Sequence, residues 1–216
     1  AHPVPYAPGT HFLYNSMATY VLSAIVTQVT GERLVDYLRP RLFEPLGIPT
    51  DPAYTSVLDV DRLDAYRGAG FAWPVDPQGH AVGHRWLRLR PMDLAKLGQV
   101  YLDHGLWQGR RVLPGDWIRQ ATSNQSALPV RGPGPVRGYG FGWWIRSAAD
   151  DPAFAALGFG GQLVEVVPTL GLVVVTAVDV AYDDDTDHGV DVTVMASLTC
   201  ATCIAMSSER RRSVGS

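Results

Sequence analysis

The chain has 216 residues, 46% hydrophobic and 18% charged, which suits one soluble globular domain or a large part of one. A formal net charge of -3 and a pI near 6.0 argue against nucleic acid as a partner, and no apolar run is long enough to span a membrane. The opening residues, Ala1-His2-Pro3-Val4-Pro5, have neither a charged start nor an apolar stretch of the signal-peptide kind, and they read as the middle of a longer chain.

Residues 1–13, with three prolines and Gly9, read as extended or coil. Ser16 is a candidate helix N-cap. Met17, Tyr20, Val21, Ala24 and Ile25 then follow the spacing of one buried helical face, and Gly31 is placed to cap its C-terminus. A second helix is predicted over 32–43, with Leu34, Leu38 and Leu42 on one face and Pro40 as a point of kinking or shortening. A turn follows over 45–49. Residues 50–89 show no periodicity and read as a long irregular segment, with His80 and His84 as solvated histidines.

From Arg90 a helix is well signalled. Pro91 suits its first turn, Asp93 complements its dipole, Leu94, Leu97, Gly98, Tyr101 and Leu102 line one face, and Gly105 stops it. A short helix is expected over 114–121 and a Gly/Pro-rich loop over 123–138. The last third changes to β-branched and aromatic segments at 139–145, 154–159, 163–167 and 172–178, with a hairpin at Pro168-Thr169-Leu170-Gly171. Asp183 to Asp185 reads as a solvated loop lacking calcium-loop spacing, 190–206 as a closing helix, and 209–216 as a disordered Arg-rich tail. Helices first and consecutive strands last predict an α+β fold, an antiparallel sheet packed with helices, in a single partial domain over 1–208.

Few residues carry chemistry by themselves. Cys200 and Cys203 form a Cys-x-x-Cys, but a zinc site needs two more ligands, so they read as small apolar residues on a helix. No metal or other cofactor is implied. Trp73, Trp86, Trp143 and Trp144 fit a core better than a cleft.

Three motifs in order are more specific. They are Phe12-Leu13-Tyr14-Asn15-Ser16 before a helix, Asp93-Leu94-Ala95-Lys96-Leu97-Gly98-Gln99, and Gly140-Phe141-Gly142-Trp143-Trp144 followed by Gly158-Phe159-Gly160-Gly161-Gln162. Over about residues 8–180 this order resembles the serine β-lactamase and penicillin-binding-protein-like superfamily, in particular its class C β-lactamase/esterase-like serine hydrolases. The resemblance implies the β-lactamase/transpeptidase-like fold and hydrolysis of an ester, amide or D-amino-acid peptide through an acyl-serine.

Members of that superfamily place nucleophile and activator as Ser-x-x-Lys on a helix, upstream of the Tyr motif. Lys96 is the only lysine here, and the residue three before it is Asp93. The resemblance therefore implies a C-terminal part without its nucleophile, inactive in isolation. It assigns Tyr14 as proton carrier and Ser16 as the third residue of the Tyr-x-Asn motif, where a hydroxyl relays a proton but offers no amide N–H. An ordinary tyrosine titrates near pH 10, so bringing one to neutrality takes about 4 kcal/mol from nearby cations. Phe159-Gly160-Gly161 aligns with the superfamily's Lys-Thr-Gly on an edge strand, and the N–H of Gln162 becomes an oxyanion donor. Phe159 replaces a cation, which favours ester or peptide-like substrates with apolar groups over β-lactams.

Two other readings stay open. One is a non-catalytic module that binds peptidoglycan-like ligands in the same cleft. The other is an unrelated α+β interaction domain that uses Cys200 and Cys203.

Overall fold

The structure, a computed structural model, describes residues 5–177 and 202–207. These residues gather into two compact units: a helical unit, Tyr14–Asp93, and a sheet unit formed by the remainder.

The helical unit opens with α1 (Ser16–Thr30). Its N-cap is Asn15, not Ser16: Asn15 is extended at φ -142°, and its Oδ1 accepts the Met17 N–H at 2.8 Å. Both residue types cap well, and the backbone assigns Ser16 the first helical position. Gly31 closes the helix at φ 72°, as the sequence predicts. The expected buried face holds only in part: Tyr20 and Ala24 are partly buried, but the face is rotated toward the polar side of the helix. Met17, Val21 and Ile25 stay about half exposed, whereas Ser23 is buried and Thr19, Tyr20 and Thr27 are partly buried. The cause is a polar seam between α1 and residues 76–84. The Tyr20 hydroxyl donates to Asp76 Oδ2, and a side chain at Gly83 would come within 2.5 Å of the Thr19 carbonyl oxygen.

The second helix, α2 (Leu34–Leu38), widens into a π-turn over Arg39–Phe43, where the Glu44 N–H reaches back to the Arg39 carbonyl. Pro40 has no N–H to continue the α ladder, which explains the widening. Residues 50–89 are more ordered than expected. They contain α3 (Leu63–Gly68) and the short pair β1 (Phe71–Ala72) and β2 (Arg88–Leu89). Tyr66, Phe71, Ala72, Trp73, Val75 and Ala81 join Val35, Phe43, Leu46 and Ile48 among the buried residues, and the Phe43 and Phe71 rings meet edge to face at 5.3 Å.

The helix α4 (Pro91–Leu102) leads into the hairpin β3 (Leu106–Trp107) and β4 (Arg110–Arg111), then α5 (Gly115–Ala121). Six antiparallel strands follow in simple succession: β5 (Val136–Tyr139), β6 (Trp144–Ala148), β7 (Asp151–Gly158), β8 (Gln162–Val167), β9 (Leu172–Ala177) and β10 (Thr202–Ser207). Ala95 and Leu102 of α4 pack with Ala121, Trp143, Phe154, Val164, Val166, Val173 and Val175 as the core of this unit. Gly98 permits the close approach, since a Cβ there would lie 2.5 Å from Val173 Cγ1.

Two expectations for this unit change. The predicted strand over 139–145 is two strands, split by a turn at residues 140–143 with Gly142 at φ 83°. The predicted helix over 190–206 does not form over its last residues: 202–207 is the strand β10, with Cys203 in register with Thr176. Thr202 and Ile204 are β-branched and favour that pairing. Cys200, Val178, Asp183 to Asp185 and the tail from 209 lie outside the described residues.

Candidate active site

Tyr14 and Ser16 flank the Asn15 cap at the entrance to α1, and both are exposed, Tyr14 by 48%. The cap sets the chain direction there. Tyr14 precedes it outside any helix or strand, and Ser16 follows with its carbonyl accepting the Thr19 hydroxyl at 2.6 Å.

Phe159, Gly160 and Gly161 belong to the sheet unit. They do not lie on an edge strand, as the resemblance implied, but form the tight connection between β7 and β8. Gly160 and Gly161 take φ 71° and 86°, which L side chains rarely adopt, and Gly158 pairs directly with Gln162. The β8 strand has β7 on one side and β9 on the other, so it has no open edge. The Thr176 hydroxyl on β9 donates to the Gly161 carbonyl at 2.6 Å and fixes the turn. Phe159 is 51% exposed. The expected site residues therefore divide between the two units, Tyr14 and Ser16 in one and Phe159 to Gln162 in the other.

A second polar cluster was not foreseen. Asp76 Oδ2 accepts the Tyr20 hydroxyl and lies 3.2 Å from His80 Nδ1, while Oδ1 accepts the Gln78 and His80 N–H groups at 2.9 and 2.8 Å. Burial raises the Asp76 pKa, but the hydrogen bonds from Tyr20, His80 and Gln78 outweigh it, and the carboxyl is held below its ordinary value. The same bond to Asp76, then burial and the Asp76 charge, raise Tyr20 above 10.0. His84 lies edge-on to the Tyr20 ring at 5.9 Å and is held below 6.5, chiefly by burial and then by the Arg85 charge. The two histidines are thus partly buried in contacts with Asp76 and Tyr20 rather than fully solvated. Nothing local in the sequence links Tyr20 to Asp76, 56 positions away.

Among the described residues no group of His, Cys, Asp and Glu could hold a metal, and no helix is long and apolar enough to cross a membrane. The sheet unit also holds a cleft of about 400 Å³ between residues 9–12, the 125–128 loop and residues 139–141.

The profile of the Beta-lactamase family matches residues 1–194. The 6-aminohexanoate-dimer hydrolase of Paenarthrobacter ureafaciens is 28% identical over 182 residues, which cover 82% of this chain and 41% of that protein. Penicillin-binding protein 4* of Bacillus subtilis (strain 168) is 22% identical over 160 residues, 67% of this chain and 34% of the relative. Among solved structures, a putative 6-aminohexanoate-dimer hydrolase from Bacillus anthracis superposes with a TM-score of 0.57 at 23% identity, over 76% of this chain and 37% of that one, a likeness of fold. The chain thus spans less than half the length of these relatives. With a profile match over most of its length and the α+β architecture described above, the chain belongs to the Beta-lactamase family.

Proposed function

We propose that the chain is the C-terminal portion of a serine hydrolase that cleaves an ester, amide or D-amino-acid peptide through an acyl-enzyme. The observation that carries this reading is the family match over residues 1–194, which includes Tyr14 at the mouth of α1. Tyr14 accepts the hydroxyl proton of the nucleophile as its oxygen bonds to the carbonyl carbon, then returns that proton to the leaving group; water repeats the cycle on the ester intermediate. Ser16 relays the proton. The turn from Phe159 to Gln162 binds substrate, and the Gln162 N–H faces the oxyanion as charge develops there. The nucleophile and its lysine come from outside these 216 residues, which contain no Ser-x-x-Lys pair.

Two outcomes follow. The 216-residue chain incubated with a chromogenic ester or cephalosporin gains no covalent mass; stoichiometric acylation at a serine would overturn this. In the longer enzyme that carries the nucleophile, Tyr14→Phe lowers kcat/KM by about 100-fold or more, the usual contribution of a general acid–base. Unchanged turnover in that variant would remove Tyr14 from the mechanism. Ligand binding without any turnover by the longer protein would favour the non-catalytic module.

A further inference from the structure

We propose that the cleft of the sheet unit between residues 9–12, the 125–128 loop and residues 139–141 is a binding site for an uncharged hydrocarbon arm of the substrate, a short alkyl chain or a single aromatic ring. The proposal rests on the hydrolase reading for the word substrate, and on the cleft itself for its chemistry.

The walls are mostly carbon. Phe12, Tyr139 and Phe141 contribute rings, and Ala127 and Leu128 contribute aliphatic surface. Phe141 is 43% exposed and stacks on Trp117 at 5.2 Å, so its open ring has a fixed orientation. Phe12 packs against Tyr139 at 5.4 Å and Trp144 at 6.5 Å. An exposed phenylalanine held in place within a concave, mostly apolar surface is what small-molecule sites require, and about 400 Å³ is within their usual range.

The polar groups of the loop are turned to its own support. Asn124 Oδ1 accepts the Ser126 and Tyr139 N–H groups, and its Nδ2 donates to the Ser126 carbonyl. The Ser126 hydroxyl donates to the Leu128 carbonyl. The Gln125 side chain donates to the Gln120 carbonyl and to the Ser123 hydroxyl, and its N–H donates to the Tyr139 carbonyl. Among the described residues, no Asp, Glu, Lys or Arg lines the cleft. The one imidazole, His11, is stacked on Tyr6 at 4.0 Å, with Thr10 Oγ1 3.0 Å from its Nδ1. A charged arm would lose hydration here without gaining a countercharge, whereas an apolar arm gains by leaving water.

The cleft is joined to Tyr14 through the chain itself. Phe12 is two residues before Tyr14, so by chain length alone their Cα atoms lie within about 7 Å.

The test is binding, and it needs no nucleophile. The ¹⁵N-labelled 216-residue chain is titrated with N-butylhexanamide, and separately with hexanoate and with butylammonium. Shifts are expected at Phe12, Ala127, Leu128, Tyr139 and Phe141. Leu128→Asp and Phe141→Ser, with folding checked by circular dichroism, should each weaken the amide by about tenfold or more; Phe141→Leu should keep affinity within about threefold, and both charged probes should bind at least about tenfold more weakly. Shifts confined to other residues, equal affinity for the charged probes, or an unaltered Kd in a folded Leu128→Asp chain would overturn the proposal. Binding here together with full turnover by Tyr14→Phe would sink the mechanism and leave the cleft. Tyr14-dependent turnover without binding here would do the reverse.

Discussion

The two units of this protein are specified by different kinds of information. In the sheet unit β5 to β9 pair in chain order, and the connections between these five strands are short. Its geometry follows from local backbone chemistry: valines that pack against α4, and glycines where the chain must turn or crowd. The helical unit has only one two-stranded pair, and its key contacts span long stretches of sequence. Phe43 meets Phe71, and Tyr20 meets Asp76 across 56 positions. Local patterns therefore describe the first unit well and the second poorly.

The largest expected effect tests the local side of this contrast. A Cβ at Gly140 would collide with the Ala121 carbonyl oxygen, which already accepts the Phe141 N–H at 2.9 Å. The obstacle is backbone, which cannot swing aside as a side chain can. Gly140→Ala should cost about 3 kcal/mol, the upper part of the usual range for overpacking, and lower Tm by roughly 6–12 °C. A melting temperature within about 2 °C of the parent would show that the turn is held by something other than crowding at this glycine.

The next effect tests the long-range side. Asp76→Asn removes the charge that gathers Tyr20, His80 and Gln78, and should cost about 1–3 kcal/mol. The signature is in the pH dependence. Because Asp76 is held low when folded, the unfolded chain takes up its proton first as pH falls, and this stabilisation is lost as pH drops through the lowered value, below about 3.8. Tyr20 is raised, so the unfolded chain releases its proton first, and stability is lost as pH rises above 10.0. His84 is lowered, so its contribution is complete above 6.5 and declines as pH falls below it. In Asp76→Asn the losses below 3.8 and above 10.0 should both shrink, while the decline below 6.5 from His84 remains. Thermal melts from pH 3 to 11 read all three. An unchanged acid limb in the variant would show that the Asp76 network does not stabilise the fold.

What the sequence revealed divides along the same line. The hairpin through Pro168 to Gly171 and the strands around it were legible because Val alternation and turn residues are local signals. The Beta-lactamase membership was legible from motif order. The inner face of α1 was legible only in part: Tyr20 and Ala24 lie on it, but Met17, Val21 and Ile25 do not, and only the distant Asp76 and Gly83 explain why polar Thr19 and Ser23 face inward. Asn15 and Ser16 are equally good caps, so only the backbone could choose between them. Gly140 and Gly142 signalled a turn that the aromatic residues around them obscured.

The smallest expected effect concerns the turn assigned to substrate binding, where the two kinds of information meet. Gly160 and Gly161 make the turn possible through their positive φ, which is a local property. Its orientation depends on a partner from the next strand, since the Thr176 hydroxyl donates to the Gly161 carbonyl. Thr176→Val keeps the β-branched shape suited to β9 and deletes only that donor. Because the bond is at an exposed site, water replaces part of it, and the loss should be about 0.5–1 kcal/mol, or roughly 1–4 °C in Tm. Amide exchange at Gly161 and Gln162 should accelerate more than exchange along Val164 to Val166, because the turn loosens while the ladder stays paired. Uniform acceleration along β8 would show that Thr176 supports the strand as a whole. Unchanged exchange at the turn would show that the glycine backbone alone sets its geometry, and that the local description of the sheet unit extends to its candidate site.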